Sequence, residues 1–166
     1  GYDVMVQAWT GLTSINGSPE SGPLRIGSPI VDMTAGSNLL AGVLLALYER
    51  ERSGRGQHVD ITLYDAGIAL SHPHGANWLM SGKVPGLSGN DHPNLCPYSL
   101  YRSKGRGLFI AVGNDGQFER LSRVLGHPEW SSDPRFATNA ARVGNRRALR
   151  ELIEAELADR DSEQLC

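Results

Sequence analysis

The stretch that decides the fold is RIGSPIVDMTAGSNLLAGVLLALYERERSGRGQHVDITLYDA, residues 25–66. Small and apolar residues run without a break from Met33 into Tyr48, and they predict one long helix over 33–52. That helix is apolar nearly all round in its first half, so it is expected to be buried on several sides. Arg50 and Arg52 stand in its last turn, where cations complement the helix dipole, and the SGRG that follows ends it. Residues 57–63, QHVDITL, alternate His58, Asp60 and Thr62 with Val59, Ile61 and Leu63, the pattern of a short strand with one polar face. Residues 64–81 resume a helical pattern, with a break expected around Pro73 and Gly75.

Upstream, residues 3–12 place Val4, Met5, Ala8, Trp9 and Leu12 on one helical face, with Asp3 in the first turn. Residues 16–29 are a Gly-, Pro- and Ser-rich connector. Downstream, the Gly- and Pro-rich run GKVPGLSGNDHPNLCP, 82–97, reads as a subdomain boundary. Strands over about 98–103 and 107–112 follow, joined by KGRG. Asp115 is placed to cap a helix that closes at Gly126, and HPEWSSDPRF, 127–136, reads as a loop. A last amphipathic helix spans about 145–158, with Leu149, Leu152, Ile153 and Leu157 as its apolar stripe and Arg146, Arg147 and Arg150 on a solvated face. The order implies an α/β part followed by a small α+β unit.

Composition excludes several classes of function. The 166 residues are 40% hydrophobic and 20% charged, which is globular. A net charge of −2 with scattered basic residues leaves no nucleic-acid footprint. The apolar run Leu39 to Tyr48 is short against the roughly 20 residues a bilayer requires, so no membrane association is expected. Cys96 and Cys166 form no disulfide framework, and Cys96 reads as a packing residue; a reducing, cytoplasmic setting is expected. The histidines lack metal-ligand spacing, His72 and His74 being separated by a proline, so no metal site is expected. Trp9, Trp78 and Trp130 read as core or subdomain contacts. The chain opens without Met and closes on DSEQLC, a helix start in which Asp161 or Ser162 caps and Glu163 occupies the first turn. That pattern reads as an internal fragment.

Asp32 is the leading candidate for chemistry. A carboxylate directly ahead of a long apolar helix accepts hydrogen bonds from first-turn amides as an ordinary N-cap. On the functional reading, flanked by Val31 and Met33, it is a partly desolvated anion favoured by the helix dipole, and such a group can act as a nucleophile. The two roles can coexist.

The strings GYD (1–3), QAWTGL (7–12), RIGSPIVD (25–32) and ERERSGRGQHVDITLYDA (49–66) resemble the class III CoA-transferases. So do GNDHPNLCPY (89–98), AVGNDGQFERL (111–121) and NAARVGNRRAL (139–149), in the same order. This resemblance implies a Rossmann-like large domain, represented by its C-terminal part at 1–65. A helix and linker follow at 66–89, and a truncated small α+β domain at 90–166. It implies Asp32 as the nucleophile that carries acyl groups, through an aspartyl-acyl anhydride and an aspartyl-CoA thioester. It maps a glycine-rich loop that folds over the aspartate onto Gly89, Asn90, Asp91, His92, Pro93 and Asn94, with the oxyanion donors coming from that loop or from a helix start. By composition alone, the same segment is a plain turn and His92 a surface histidine.

Position 2 divides the family. The related α-methylacyl-CoA racemases carry a histidine there as an acid–base partner. Tyr2 is a phenol, whose pKa is about 10, and a poor replacement at neutral pH. Tyrosine followed by a carboxylate, matched by Tyr2 and Asp3, implies transfer. The implied substrates are an acyl-CoA thioester and a small carboxylic acid, with no tightly bound cofactor, and the implied assembly is an interlocked homodimer. The fragment alone is expected to be inactive. Two other readings stay open, a racemase-like isomerase and a non-catalytic oligomerisation module that retains the fold.

Overall fold

The computed structural model describes residues 1–161, and two compact units meet at the Gly89–Asn90 bond. In the first unit, α1 (Asp3–Trp9) and α2 (Leu12–Ile15) are followed by a two-residue antiparallel ladder, β1 (Gly17–Ser18) with β2 (Gly22–Pro23). Then come α3 (Ile30–Ser53), α4 (Leu63–Leu70) and α5 (His74–Ser81). Val6, Leu12, Val31, Ala35 and Ala66 form the core, so α1, α2, α3 and α4 each contribute to it.

Helix α3 starts three residues earlier than the apolar run suggests, and Pro29, not Asp32, holds the cap position. Its end follows the sequence signals: Gly54 adopts φ +72°, and its N–H donates to the Arg50 carbonyl at 2.8 Å. The expected burial on several sides is not found. Only Val31 and Ala35 are buried, while Leu40 and Leu45 are 62% and 68% exposed. The helix has 24 residues and is long and apolar enough, by length and composition, to cross a membrane, a test that the core helix of a soluble protein also passes. It therefore exceeds the span that Leu39 to Tyr48 suggested. Among the described residues, α1, α4 and Val59 supply cover for only part of its circumference.

Residues 57–62 are not a strand. A strand requires a partner for its backbone groups, and none lies beside this segment among the described residues. The Thr62 hydroxyl accepts from the Asp65 N–H at 3.0 Å and so starts α4 at Leu63. Val59 lies so close to Gly42 of α3 that a Cβ on that glycine would meet it at 2.7 Å.

A second close approach joins α4 to the end of α1. A Cβ on Gly67 would lie 2.8 Å from both Cγ2 and Oγ1 of Thr10, whose hydroxyl is itself bonded to the Val6 carbonyl. Thr10 is β-branched and held, so it cannot swing aside. Gly67→Ala in the full-length protein is expected to cost about 1–3 kcal/mol of stability, read as a lower midpoint in urea. An unchanged midpoint would mean that the helices separate freely.

In the second unit, β3 (Tyr98–Tyr101) pairs antiparallel with β4 (Leu108–Ala111), Tyr98 opposite Ala111 and Tyr101 opposite Leu108. The ladder is shorter than the expected strands at both ends. Helix α6 (Asp115–Leu125) is capped by Asn114, whose Oδ1 accepts from the Gln117 N–H at 2.9 Å; Asp115 is its first residue and not the cap. The segment expected to be a loop contains a 3₁₀ turn over Pro128–Ser131, and α7 (Asn139–Gly144) precedes α8 (Arg146–Leu157). Tyr101, Ile110, Phe118, Phe136, Leu149, Ile153 and Leu157 build a core between the hairpin and the helices.

Cys96 is fully buried in that core, and burial pushes its thiol above its ordinary value, which suits packing and not nucleophilic chemistry. Trp130 is buried as well, whereas Trp9 and Trp78 are exposed and belong to no core. Asp161 bridges to Lys104, and the helix start expected at 161–163 otherwise lies outside the described residues.

His127 stacks on Trp130 at 4.5 Å, with Nδ1 2.9 Å from Glu129 and Nε2 3.0 Å from Glu156. The hydrogen bonds to Glu129 and then Glu156 hold its pKa above the ordinary 6.5. The imidazolium therefore binds its proton more tightly folded than unfolded. Its stabilising contribution is complete below 6.5 and is lost as pH rises through the higher folded value. Comparing thermal midpoints of the full-length protein and its His127→Gln variant across pH 5.5–8.5 is expected to show their difference shrinking as pH rises. A difference independent of pH would refute this.

Candidate active site

The site around Asp32 is built by α1. Asp3 stands in the first turn of α1, and its Oδ2 accepts from the backbone N–H groups of Val31 at 2.8 Å and Asp32 at 3.2 Å. Its Oδ1 accepts from Gln7 Nε2 at 2.6 Å. Gln7 is fully buried, and its Oε1 accepts from the Ile26 N–H at 2.8 Å, which ties the RIGSP connector to α1. The cap of α3 thus comes from a side chain 28 residues away, and Asp32 is a residue of the first turn.

This changes the expected role of Asp32. Its carboxylate is exposed and accepts no hydrogen bond among the described residues, so it is neither the N-cap nor partly desolvated within this chain. The positive end of α3 still favours its charge. Tyr2 is the cap residue of α1; its carbonyl accepts from the N–H groups of Met5 and Val6, and its side chain is 81% exposed. Asp3 therefore meets the start of α3 directly, and Tyr2 adjoins it along the chain.

The amides at the start of α3 are all engaged. Val31 and Asp32 donate to Asp3, Ile30 donates to the Ser28 carbonyl at 2.8 Å, and Met33 donates to the Pro29 carbonyl at 3.0 Å. The helix start, one of the two expected sources of oxyanion donors, has none to spare.

The 89–94 segment is split between the units. Gly89 belongs to the first, with φ +60° and its N–H donating to the Gly17 carbonyl at 2.9 Å. Asn90 to Asn94 belong to the second, where they are far from a plain turn. Asp91 Oδ1 accepts from Arg150 Nη2 at 2.5 Å. The His92 N–H donates to the Tyr98 carbonyl at 3.0 Å, and its own carbonyl accepts from Arg146 Nη2 at 2.8 Å. The His92 ring lies 5.0 Å from that of Tyr98, and its Nδ1 accepts from the Asn94 N–H at 3.0 Å. Asn139 bridges from α7, donating to the Asn94 carbonyl at 2.8 Å and accepting from the Cys96 N–H at 3.2 Å. The N–H groups of Asn90 and Asp91 have no partner among the described residues.

The arginines correct the sequence reading. Arg147 is solvated as expected and pairs with Glu151 at 3.1 Å. Arg146 and Arg150 instead turn towards the loop and hairpin. Arg142, which no sequence pattern singled out, is fully buried and donates to the carbonyls of Cys96 and Phe136 and to Asp115. Gln7 and Asn139 also escaped notice, since their partners lie far away in sequence. His72 and His74 border an open groove with Trp78 in the first unit, and no group of three metal-ligating side chains occurs among the described residues.

Asp32 at the start of α3, with Asp3 bonded to its backbone and Tyr2 preceding Asp3, is the arrangement that the family resemblance implies. The chain belongs to CoA-transferase family III, whose model matches residues 1–166. It is 40% identical over 156 residues to the succinate–glutarate CoA-transferase of Agrobacterium fabrum, covering 94% of this chain and 39% of that protein. It is 35% identical over 158 residues to the acetyl-CoA:oxalate CoA-transferase of Acetobacter aceti, covering 95% of this chain and 41% of that one. The crystal structure of a CAIB/BAIF family protein from Brucella suis matches with a TM-score of 0.74 and 40% identity, over 99% of this chain and 44% of the other. The fold is thus that of the class III CoA-transferases, and the chain spans about two fifths of the length of these curated relatives.

Proposed function

We propose that the full-length parent of this chain transfers CoA between carboxylic acids, with Asp32 as the nucleophile. The observation that carries this reading is the exposed Asp32 carboxylate at the start of α3, its lone pairs unengaged while Asp3 fixes the backbone beneath it. Asp32 attacks the thioester of an acyl-CoA, forming a mixed anhydride and releasing CoA thiolate. The thiolate attacks the aspartyl carbonyl, which frees the donor acid and leaves an aspartyl-CoA thioester. The acceptor carboxylate attacks that thioester to give a second anhydride, and the returning thiolate takes its acyl group, regenerating Asp32. Each exchange replaces one hard transfer with easier acyl steps at a single carboxylate.

The tetrahedral oxyanions call for N–H donors. The amides at the start of α3 are engaged, and the family resemblance assigns these donors to the loop at 89–94. Tyr2 in place of a histidine supports transfer over racemisation. Residues 1–65 are read as part of the large domain, 66–89 as a helix and linker and 90–166 as part of the small domain, in a cytoplasmic, interlocked homodimer. The uncovered apolar surface of α3 fits such an assembly, and the isolated chain is expected to be inactive.

Mass spectrometry of the full-length parent, quenched during turnover with succinyl-CoA, tests the reading. An acyl or CoA adduct on the peptide containing Asp32 is expected. Steady turnover with no adduct on that peptide would refute it.

A further inference from the structure

Gln7 joins both routes that lead to the start of α3. It lies one turn beyond Asp3 on α1 and is fully buried. Nε2 donates to Asp3 Oδ1 at 2.6 Å and, more weakly, to the Ile26 carbonyl at 3.4 Å, while Oε1 accepts from the Ile26 N–H at 2.8 Å. Asp3 in turn divides its two oxygens: Oδ1 meets Gln7, and Oδ2 takes the N–H groups of Val31 and Asp32. Ile26 stands just ahead of Ile30, where the helix begins. One side-chain amide therefore grips α3 twice, through the carboxylate that caps it and through the backbone that enters it.

We infer that Gln7 is a positioning residue for CoA transfer, which orients the Asp3 carboxylate and thereby the first turn of α3 that carries Asp32. The inference rests on the reading of Asp32 as the nucleophile. The Asp32 side chain takes no bond among the described residues, so its backbone is what places it. That backbone is held from outside the helix by Asp3 Oδ2. Without a partner on Oδ1, the Asp3 carboxylate is free to turn about its Cβ–Cγ bond, and the amides of Val31 and Asp32 lose a fixed acceptor. A reacting group displaced by about 1 Å can lose on the order of 100-fold in rate, while binding contacts elsewhere on the substrate persist. A buried amide suits this duty better than an ionised group. It supplies a donor to Asp3 and an acceptor to Ile26 with no charge to desolvate.

An isosteric change separates positioning from packing. In Gln7→Glu the oxygen that meets the Ile26 N–H stays, and the other turns an acceptor towards Asp3 Oδ1. The two carboxylates repel when both are ionised, and a proton shared between them restores the bond. The charged groups in the opening turns of the helices packed against α1 are Asp32 on α3 and Asp65 on α4, the latter bound by the Thr62 hydroxyl. On the connector, Arg25 donates to the Ile26 and Gly27 carbonyls. Of these charged groups and Asp3, only Asp3 bonds Gln7.

The test uses the full-length enzyme and its Gln7→Glu and Gln7→Met variants, with kcat, KM for the acyl-CoA and the pH dependence of kcat as readouts. At about pH 8, Gln7→Glu is expected to lower kcat by about 10- to 100-fold and to leave KM within about twofold. Its kcat relative to the unsubstituted enzyme recovers as pH falls towards about 5.5 and the shared proton returns, whereas that of folded Gln7→Met stays low throughout. Gln7→Glu keeps the side-chain shape and the bond to the Ile26 N–H, so it carries the test even if Gln7→Met does not fold. Unchanged kcat in folded Gln7→Met, unchanged kcat in Gln7→Glu across this pH range, or a loss carried by KM would overturn the inference while leaving Asp32 as nucleophile. Full activity in Asp32→Asn would instead overturn the underlying reading.

Discussion

Replacing Asp32 with asparagine in the full-length parent is expected to lower kcat for CoA transfer by on the order of 10⁴- to 10⁶-fold, the range typical of losing a covalent nucleophile. The variant isolates chemistry from folding. Asp3 binds the backbone N–H of Asp32 and not its side chain, so the start of α3 keeps its cap when the carboxylate becomes an amide. Because the Asp32 side chain is exposed and makes no bond within the described residues, the exchange removes only its interaction with the positive end of α3. Stability is therefore expected to stay within about 1 kcal/mol of the parent, with KM for the acyl-CoA altered by no more than a few-fold. Steady-state assays and a denaturation curve on the same preparation decide the matter. Activity within tenfold of the parent would reduce Asp32 to an ordinary helix residue and favour the non-catalytic module.

The second large effect concerns stability, at Arg142. Its side chain is fully buried, donating through Nε to the Cys96 carbonyl at 2.7 Å and through Nη1 to the Phe136 carbonyl at 2.8 Å. Nη2 reaches Asp115 at 2.7 Å, and the guanidinium lies over Phe118 at 4.4 Å. Asp115 is 59% exposed, so water screens that ion pair and the two carbonyls matter more. Arg142→Met fills much of the volume but leaves two buried acceptors unpaired. The expected loss is about 3–5 kcal/mol, a large part of the margin of an ordinary domain. Arg142→Lys is not expected to rescue it, since a single ammonium cannot meet acceptors spread around a planar fork. Urea denaturation of the full-length protein checks this, and a loss below about 1 kcal/mol would show the carbonyls finding other donors.

The same arginine illustrates what a linear reading misses. Its partners at Cys96 and Asp115 lie 46 and 27 residues away, and no local pattern separates a buried arginine from a solvated one. Arg146, Arg147 and Arg150 read alike in sequence, yet only Arg147 faces water, because α8 packs its other flank against the hairpin and loop. The capping of α3 failed for a related reason. Ser, Thr, Asn and Asp signal a cap when the acceptor is local, as at Thr62, Asn114 and Thr138. At α3 the acceptor is Asp3, delivered by another helix.

By itself the sequence determined the longer helices, whose apolar spacing and glycine ends are local properties, and the hairpin, while the short helices α2 and α7 carried no such signal. Its ordered strings also carried the family and, through it, the proposal of Asp32, Tyr2 and Asp3 as site residues. Tertiary structure alone decided which side chain caps α3, that residues 57–62 find no strand partner, and that Arg150 clamps Asp91. Each of these depends on groups brought together across tens of residues, where pairing is set by packing and not by propensity. Asp32 belongs to both accounts: its position was legible in the sequence, and its freedom from hydrogen bonds came from the fold.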